Sequence, residues 1–263
     1  MQMPSSLIHD QASSALEVLK QLLGDHLLAV YLHGSAASSG LKPQSDIDML
    51  VVVKQSLKLE NRQKLLSSLL ELSSPHPASA NGPRCLEVIV FTLDELEKPH
   101  FPVIADFIYG EWLRDGFVGG EVPVPIADPE MTLILAQAKN EAIPLFGAPA
   151  SQLLPTIPAA DISNAMLKLL PDLTTNLQGD ESNVLLTLAR MWYSATTGQF
   201  ISKDMAALWA IPQLPETMAQ TLIYARDAYL GEFTDNWISQ AISVTRTAFY
   251  LQTQIVAQLE NIN

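Results

Sequence analysis

The amino-acid sequence predicts an α/β domain over residues 1–157 followed by an all-α helical bundle over residues 158–263. Three observations carry this division. Short apolar runs alternate with amphipathic segments through the first half. Pro155 and Pro158 then interrupt regular structure. Beyond them the apolar residues recur only at helical spacing.

In the first half, the period predicts a helix over residues 8–23 and a short strand over 27–32. A loop rich in Gly, Ser and Ala covers 33–45. Residues 47–53 are almost wholly apolar, the pattern of a strand buried on both faces. A helix over 57–72, a polar loop over 73–83 and a third strand over 84–92 follow. The proline-rich segment 123–129 introduces a helix over 130–143. In the second half, helices are predicted over 161–170, 180–197, 203–210, 215–229 and from Trp237 to the end.

Composition narrows the class. With 263 residues, 48% hydrophobic and only 16% charged, the chain can fill the cores of two ordinary domains. No apolar run has the length of a membrane span, and residues 1–10 lack a basic segment leading into an apolar stretch, so a cytoplasmic protein with no membrane partner is expected. Cys85 is the one cysteine, which excludes an intrachain disulfide and a multi-cysteine metal site. The five histidines show no metal-ligand spacing, which argues against a zinc site built from two or three of them. Fifteen basic and 28 acidic residues give a net charge of −13. Such a surface repels nucleic acid and attracts small cations.

The chemistry-bearing stretch is Gly34-Ser35, ten intervening residues, then Asp46-Ile47-Asp48 leading into an apolar strand. Alternate strand residues face the same way, so Asp46 and Asp48 project together. Two adjacent carboxylates repel unless a positive species sits between them, and hard oxygen ligands suit Mg²⁺. A pair of such ions can clamp the attacking and leaving oxygens of a nucleotidyl transfer. Gly34 permits close backbone approach to a phosphate, while Ser35 and Ser45 offer hydroxyls. Glu87 is an acid within the apolar third strand, on the face of Cys85 and Ile89. Burial of a carboxylate needs compensation, so Glu87 is a third metal ligand, a general base, or else an edge-strand acid facing water.

In the second half, Asp180, Asn183, Thr187, Arg190 and Ser194 recur at steps of three or four along an otherwise apolar helix. That stripe is either a solvent face or a ligand-facing one. On the second reading Arg190 pairs with phosphates and Asp180 with a substrate amine. Asp180 also suits an N-cap, and Lys203 is a second phosphate candidate. Trp112, in Gly110-Glu111-Trp112-Leu113-Arg114, is either core or a pocket wall, with Glu111 beside it a possible amine acceptor.

Gly34-Ser35 with Ser45-Asp46-Ile47-Asp48, together with Leu86-Glu87-Val88, the Gly110–Arg114 motif, Leu186-Thr187-Leu188-Ala189-Arg190 and Ser202-Lys203-Asp204, resembles the aminoglycoside nucleotidyltransferases of the streptomycin/spectinomycin group. The resemblance covers nearly the whole chain. It implies a polymerase-β-like nucleotidyltransferase domain with a mixed five-stranded sheet, followed by a helical bundle, with ATP and drug held between them. By position, it implies that Asp46 and Asp48 bind two Mg²⁺ ions and that Glu87 is the catalytic base and a further metal contact. Ser35, Ser45, Arg190, Lys203 and Tyr229 would hold ATP, and Glu87, Trp112, Asp180 and Asn183 would face a cationic antibiotic. A monomer is expected. Members that also modify streptomycin carry a Trp and an Asp before the Gly-Asp matching Gly179-Asp180. Here the segment 171–178 has no Trp, Asn176 stands where the acid is expected, and Asn183 replaces a His. Streptomycin's guanidinium groups need that acid and that ring, so the pattern implies spectinomycin 9-adenylylation. The rival readings are a dual-specificity enzyme, a protein-adenylylating one and an inactive nucleotide-binding module.

Overall fold

A computed structural model describes residues 5–38, 40–78 and 82–260. Residue 39 of the first predicted loop, 79–81 of the second, and the ends of the chain lie outside that description. The chain divides into two compact units, Met1–Ile157 and Pro158–Asn263.

The first unit runs α1 (Ser5–Leu23), β1 (Leu27–Leu32), α2 (Gly34–Ala37), β2 (Ile47–Val53), α3 (Leu59–Leu72), β3 (Leu86–Thr92), α4 (Leu93–Glu97), β4 (Ile104–Ala105), β5 (Phe107–Tyr109), α5 (Arg114–Val118), β6 (Ile126–Ala127), α6 (Pro129–Glu141), β7 (Ile143–Phe146) and α7 (Ala150–Leu153). Five strands form one sheet in the order β5-β3-β2-β1-β7, while β4 and β6 pair separately. The pair β2–β3 is parallel and the other pairs of the large sheet are antiparallel, so the sheet is mixed.

Strand alternation assigns the two faces of this sheet different work. Ile47, Met49, Val51 and Val53 of β2 and Leu86, Val88 and Val90 of β3 join Ala12, Ala15, Leu19 and Leu23 of α1 and Leu65, Leu66 and Leu69 of α3 in one buried apolar cluster. The opposite face carries Leu50, Val52, Ile89 and Phe91, also fully buried. At its strand-start end it carries Asp48 and Glu87, both only partly buried. The central strands are thus apolar on both sides except where the carboxylates stand, which is why β2 reads as a continuous apolar run.

Four strands escaped the sequence reading: the two-residue β4 and β6, and, within the large sheet, β5 and β7. Strand β5 has three residues, too few for a period. Strand β7 contains Pro144, which its place at the sheet edge tolerates because an edge strand has one unpaired side. Residue 143, expected to end a helix, instead starts this strand.

The second unit is helical: α8 (Ala159–Thr175), α9 (Glu181–Thr197), α10 (Lys203–Ala210), α11 (Glu216–Leu230) and α12 (Ala241–Glu260). Helix α9 touches each of the other four. Its burial of Val184, Leu185, Leu186, Leu188, Ala189, Met191 and Trp192 follows from that central position. Gly198 ends it in the left-handed conformation (φ 70°) common after helices. No helix among the described residues is long and apolar enough to cross a membrane.

One buried ion pair ties α3 to the sheet. Arg62 Nη2 lies 2.8 Å from Asp106 Oδ1, and both side chains are about 5% exposed or less. Arg62 Nε donates to the Leu57 carbonyl (2.9 Å), and Asp106 accepts from Ser56 Oγ (2.6 Å) and the Leu57 N–H (3.0 Å). The Asp106 N–H donates to Val90 of β3 at 2.8 Å. Removing one member leaves the other charge buried. Arg62→Met is therefore predicted to destabilise the first unit by roughly 3–5 kcal/mol in urea denaturation followed by circular dichroism. A loss below about 1 kcal/mol would show that water replaces the guanidinium there.

Candidate active site

The site is built at the start of β2 and β3. Parallel pairing sets Asp48 directly beside Glu87 and Ile47 beside Leu86. Neighbouring strands lie about 4.7–4.9 Å apart, so the Asp48 and Glu87 side chains leave the same face as immediate neighbours. Asp46 precedes β2 by one residue and continues that face. The register therefore brings together the three acids that the sequence singled out, from two separated segments.

The turn leading into Asp46 is held by Arg84. Its Nη1 donates to the carbonyls of Lys42 (2.9 Å) and Ser45 (2.7 Å). Ser45 Oγ accepts from the Lys42 N–H at 3.0 Å, closing the turn. The Ile47 N–H donates to the Cys85 carbonyl at 2.9 Å, which continues the β2–β3 pairing one step toward the site.

Gly34 and Ser35 open the single-turn helix α2, within the stretch expected to be loop. Gly34 has φ +59°, and a Cβ built on it would overlap Asp48 Oδ2 and lie 3.0 Å from Asp48 Cγ. Glycine is required there twice over, for its backbone conformation and for the space the carboxylate occupies. The His33 N–H donates to the Asp48 carbonyl at 3.1 Å. Burial lowers the His33 pKa to about 4, so its ring is neutral at pH 7 and adds no charge beside Asp48. Its Nε2 has no hydrogen-bond partner among the described residues. His33 carried no spacing signal in the sequence; only the fold places it at the site.

These features fit a hard divalent cation. Asp46, Asp48 and Glu87 offer carboxylate oxygens on one face, and the Gly34 backbone closes against Asp48 where a side chain would intrude.

Cys85 is 2% exposed and lies on the same face. Burial, and then the Asp46 charge, push its thiol up to about 12. Its thiol is therefore protonated at neutral pH when no metal is bound.

The Gly110–Arg114 motif divides its labour differently from the sequence expectation. Glu111 is buried and accepts from Tyr109 Oη (2.7 Å), Ser73 Oγ and Arg114, whose Nε and Nη2 make a two-pronged pair with it. Desolvation alone would raise the Glu111 pKa, but hydrogen bonds from Arg114, Ser73 and Tyr109 outweigh it and hold the carboxyl below its ordinary value. Glu111 is thus a structural anchor and not a free amine acceptor. Ser73 Oγ also accepts from the Leu86 N–H (2.9 Å), which ties this network to β3 one residue from Glu87. Trp112 is the projecting member, 61% exposed. A Cβ on Gly110 would overlap its ring, so glycine lets the indole fold back over the backbone.

Within the second unit, Asp180 occupies the N-cap position of α9, but its side chain makes no capping bond. It accepts from Asn183 Nδ2 at 2.8 Å instead, and Asn183 Oδ1 accepts from Lys203 Nζ. Asp180, Asn183 and Lys203 thus form one polar chain at the start of α9 and α10. The stripe then sinks inward: Arg190 is partly buried and Ser194 fully so. Tyr229 is half-buried near the end of α11.

Known proteins resemble this chain throughout. Residues 17–79 match the family model for the polymerase beta nucleotidyltransferase domain, and residues 152–254 that for the aminoglycoside adenylyltransferase C-terminal domain. A spectinomycin 9-adenylyltransferase of Staphylococcus aureus is 41% identical over 96% of each chain. An aminoglycoside (3'') (9) adenylyltransferase of Escherichia coli is 34% identical over 94% of this chain and 95% of its own. The crystal structure of a spectinomycin adenyltransferase from Enterococcus faecialis, with ATP and spectinomycin, superimposes with a TM-score of 0.89 at 30% identity, covering 94% of this chain and 98% of that one.

Gly34→Ala is predicted to weaken Mn²⁺ binding at the three carboxylates by roughly 10–100-fold, the usual cost of disturbing a group that supports a metal ligand. Water-proton relaxation titrations measure this. Unchanged affinity would mean that Asp48 is not a ligand.

Proposed function

This chain belongs to the aminoglycoside adenylyltransferase family, and from that premise we propose that it transfers the adenylyl group of ATP to the 9-hydroxyl of spectinomycin, conferring resistance. The observation that carries the reading is the in-register pairing of Asp48 with Glu87 beside the Gly34-Ser35 turn. That pairing supports a reading in which a base and metal-binding carboxylates act around one point, as an in-line transfer to a hydroxyl needs.

In this reading Asp46, Asp48 and Glu87 hold two Mg²⁺ ions, which would offset the charge of the triphosphate and of the departing pyrophosphate. Ser35 and Ser45 donate hydroxyl hydrogen bonds to phosphate oxygens. Arg190 and Lys203 contribute positive charge against the triphosphate, and Tyr229 contacts the nucleotide. Glu87 accepts the proton of the 9-hydroxyl as that oxygen attacks the α-phosphorus. The new O–P bond forms while the bond to the pyrophosphate bridging oxygen breaks, so no covalent enzyme intermediate is required.

The drug is a compact cation. Asp180, exposed at the start of α9, suits its amines, and the exposed Trp112 face suits its ring system. Asn183 is held by Asp180 and Lys203, which links the proposed drug contact to the proposed phosphate contact. Helix α8 runs to Thr175 and leaves Asn176 at its C-cap, where an acid would serve a streptomycin guanidinium. Spectinomycin is therefore the substrate and streptomycin is not. We further infer a cytoplasmic monomer, consistent with a single cysteine kept reduced and with a strongly anionic surface that draws cationic drugs.

Mass spectrometry of products from a mixture of both drugs with Mg-ATP tests the substrate. Adenylylated spectinomycin with unmodified streptomycin is expected, and adenylylated streptomycin would favour the dual-specificity reading. Glu87→Gln is predicted to retain ATP binding and to lose turnover by at least ~10²-fold. Full turnover in that variant would remove Glu87 from the role of base.

A further inference from the structure

We propose that Asp46, His76 and Cys85 form a binding site for thiophilic divalent cations of the zinc class, and that an ion held there inhibits the enzyme by taking Asp46 from the magnesium-binding trio.

A carboxylate oxygen of Asp46, a ring nitrogen of His76 and the sulfur of Cys85 all lie within 4.8 Å of one another. Cys85 Sγ and His76 Nδ1 are 4.0 Å apart. Tetrahedral zinc, with bonds of about 2.3 Å to sulfur and 2.0–2.1 Å to nitrogen, places those two ligands about 3.6 Å apart. The Cys85–His76 pair is within a few tenths of an ångström of that separation, and His76, on an exposed loop, can supply the adjustment.

The other two ligands are already held in place. Cys85 is buried, and its carbonyl accepts from the Ile47 N–H. Asp46 follows the turn that Arg84 fixes through the Lys42 and Ser45 carbonyls. Sequence spacing could not reveal this set, because it takes one residue each from the starts of two strands and one from a loop.

Donor chemistry separates this site from the neighbouring one. Sulfur, imidazole and a single carboxylate favour zinc over magnesium, whereas the Asp46, Asp48 and Glu87 set is all oxygen. Three protein ligands leave a fourth position for water. On binding, the Cys85 S–H bond breaks, its proton goes to solvent and a metal–sulfur bond forms, with no change in oxidation state. Asp46 belongs to both sets, so the two ions compete for it. Binding stands on the geometry alone; inhibition rests on the proposed role of Asp46 in adenylyl transfer.

The test is cobalt titration of the metal-free full-length protein under reducing conditions. A thiolate-to-cobalt charge-transfer band in the near ultraviolet is expected, saturating at one equivalent and displaced by zinc. Cys85→Ala should abolish the band, and His76→Ala should weaken cobalt binding by at least about tenfold. No band in the native protein, or a band unaffected by either change, overturns the site. In adenylyl-transfer assays both variants should keep magnesium-supported turnover and need at least about tenfold more zinc for half inhibition. Unchanged zinc sensitivity would overturn the shared-ligand inhibition. An absence of transfer in zinc-free native protein would instead refute the proposed function and leave the cobalt result standing.

Discussion

Repulsion among like charges is the constraint around which the first unit is organised. Asp48 and Glu87 are immediate cross-strand neighbours, with Asp46 on the same face. Carboxylates so close are compatible with folding because they stand at the ends of their strands, partly exposed, and because a cation can draw them together. Farther along the same face lie Leu50, Val52, Ile89 and Phe91, all fully buried. One face therefore passes from polar to apolar within two residues, and the site gains a rigid apolar floor.

The surroundings hold the acids in position with few moving parts. The mixed sheet fixes the register, and the opposite face is packed against α1 and α3. Arg84 secures the turn before Asp46, Gly34 allows α2 to close on Asp48, and the Glu111 network anchors the segment that displays Trp112. Each device uses a backbone carbonyl, a missing side chain or a buried hydrogen bond. Arg84 is the one charged device among them, and its guanidinium is electrostatically coupled to Asp46, whereas the nearby His33 ring remains neutral.

Much of this was legible in the sequence. The limits of β1 and β2 followed from their apolar runs, and the Asp-x-Asp spacing with Glu87 in an apolar strand pointed to an oxygen-ligand metal site. What was hidden depended on tertiary context. The three-residue β5 has no period to read, and Pro144 disguises an edge strand. Glu111 looked available because its partners Ser73, Tyr109 and Arg114 converge only on folding. His33 and His76 carried no spacing signal, yet the fold joins the His33 backbone to that of Asp48 and sets the His76 ring against Cys85. The link from Lys203 through Asn183 to Asp180 joins two helices and is invisible along the chain.

The most direct measurement is anomalous diffraction from crystals grown with Mn²⁺ and a non-hydrolysable ATP analogue. Manganese peaks are predicted among the carboxylates of Asp46, Asp48 and Glu87, at about 2.0–2.3 Å from their oxygens, with the α-phosphate on the same ions. Manganese bound elsewhere, or a triphosphate seated away from these three residues, would contradict the account.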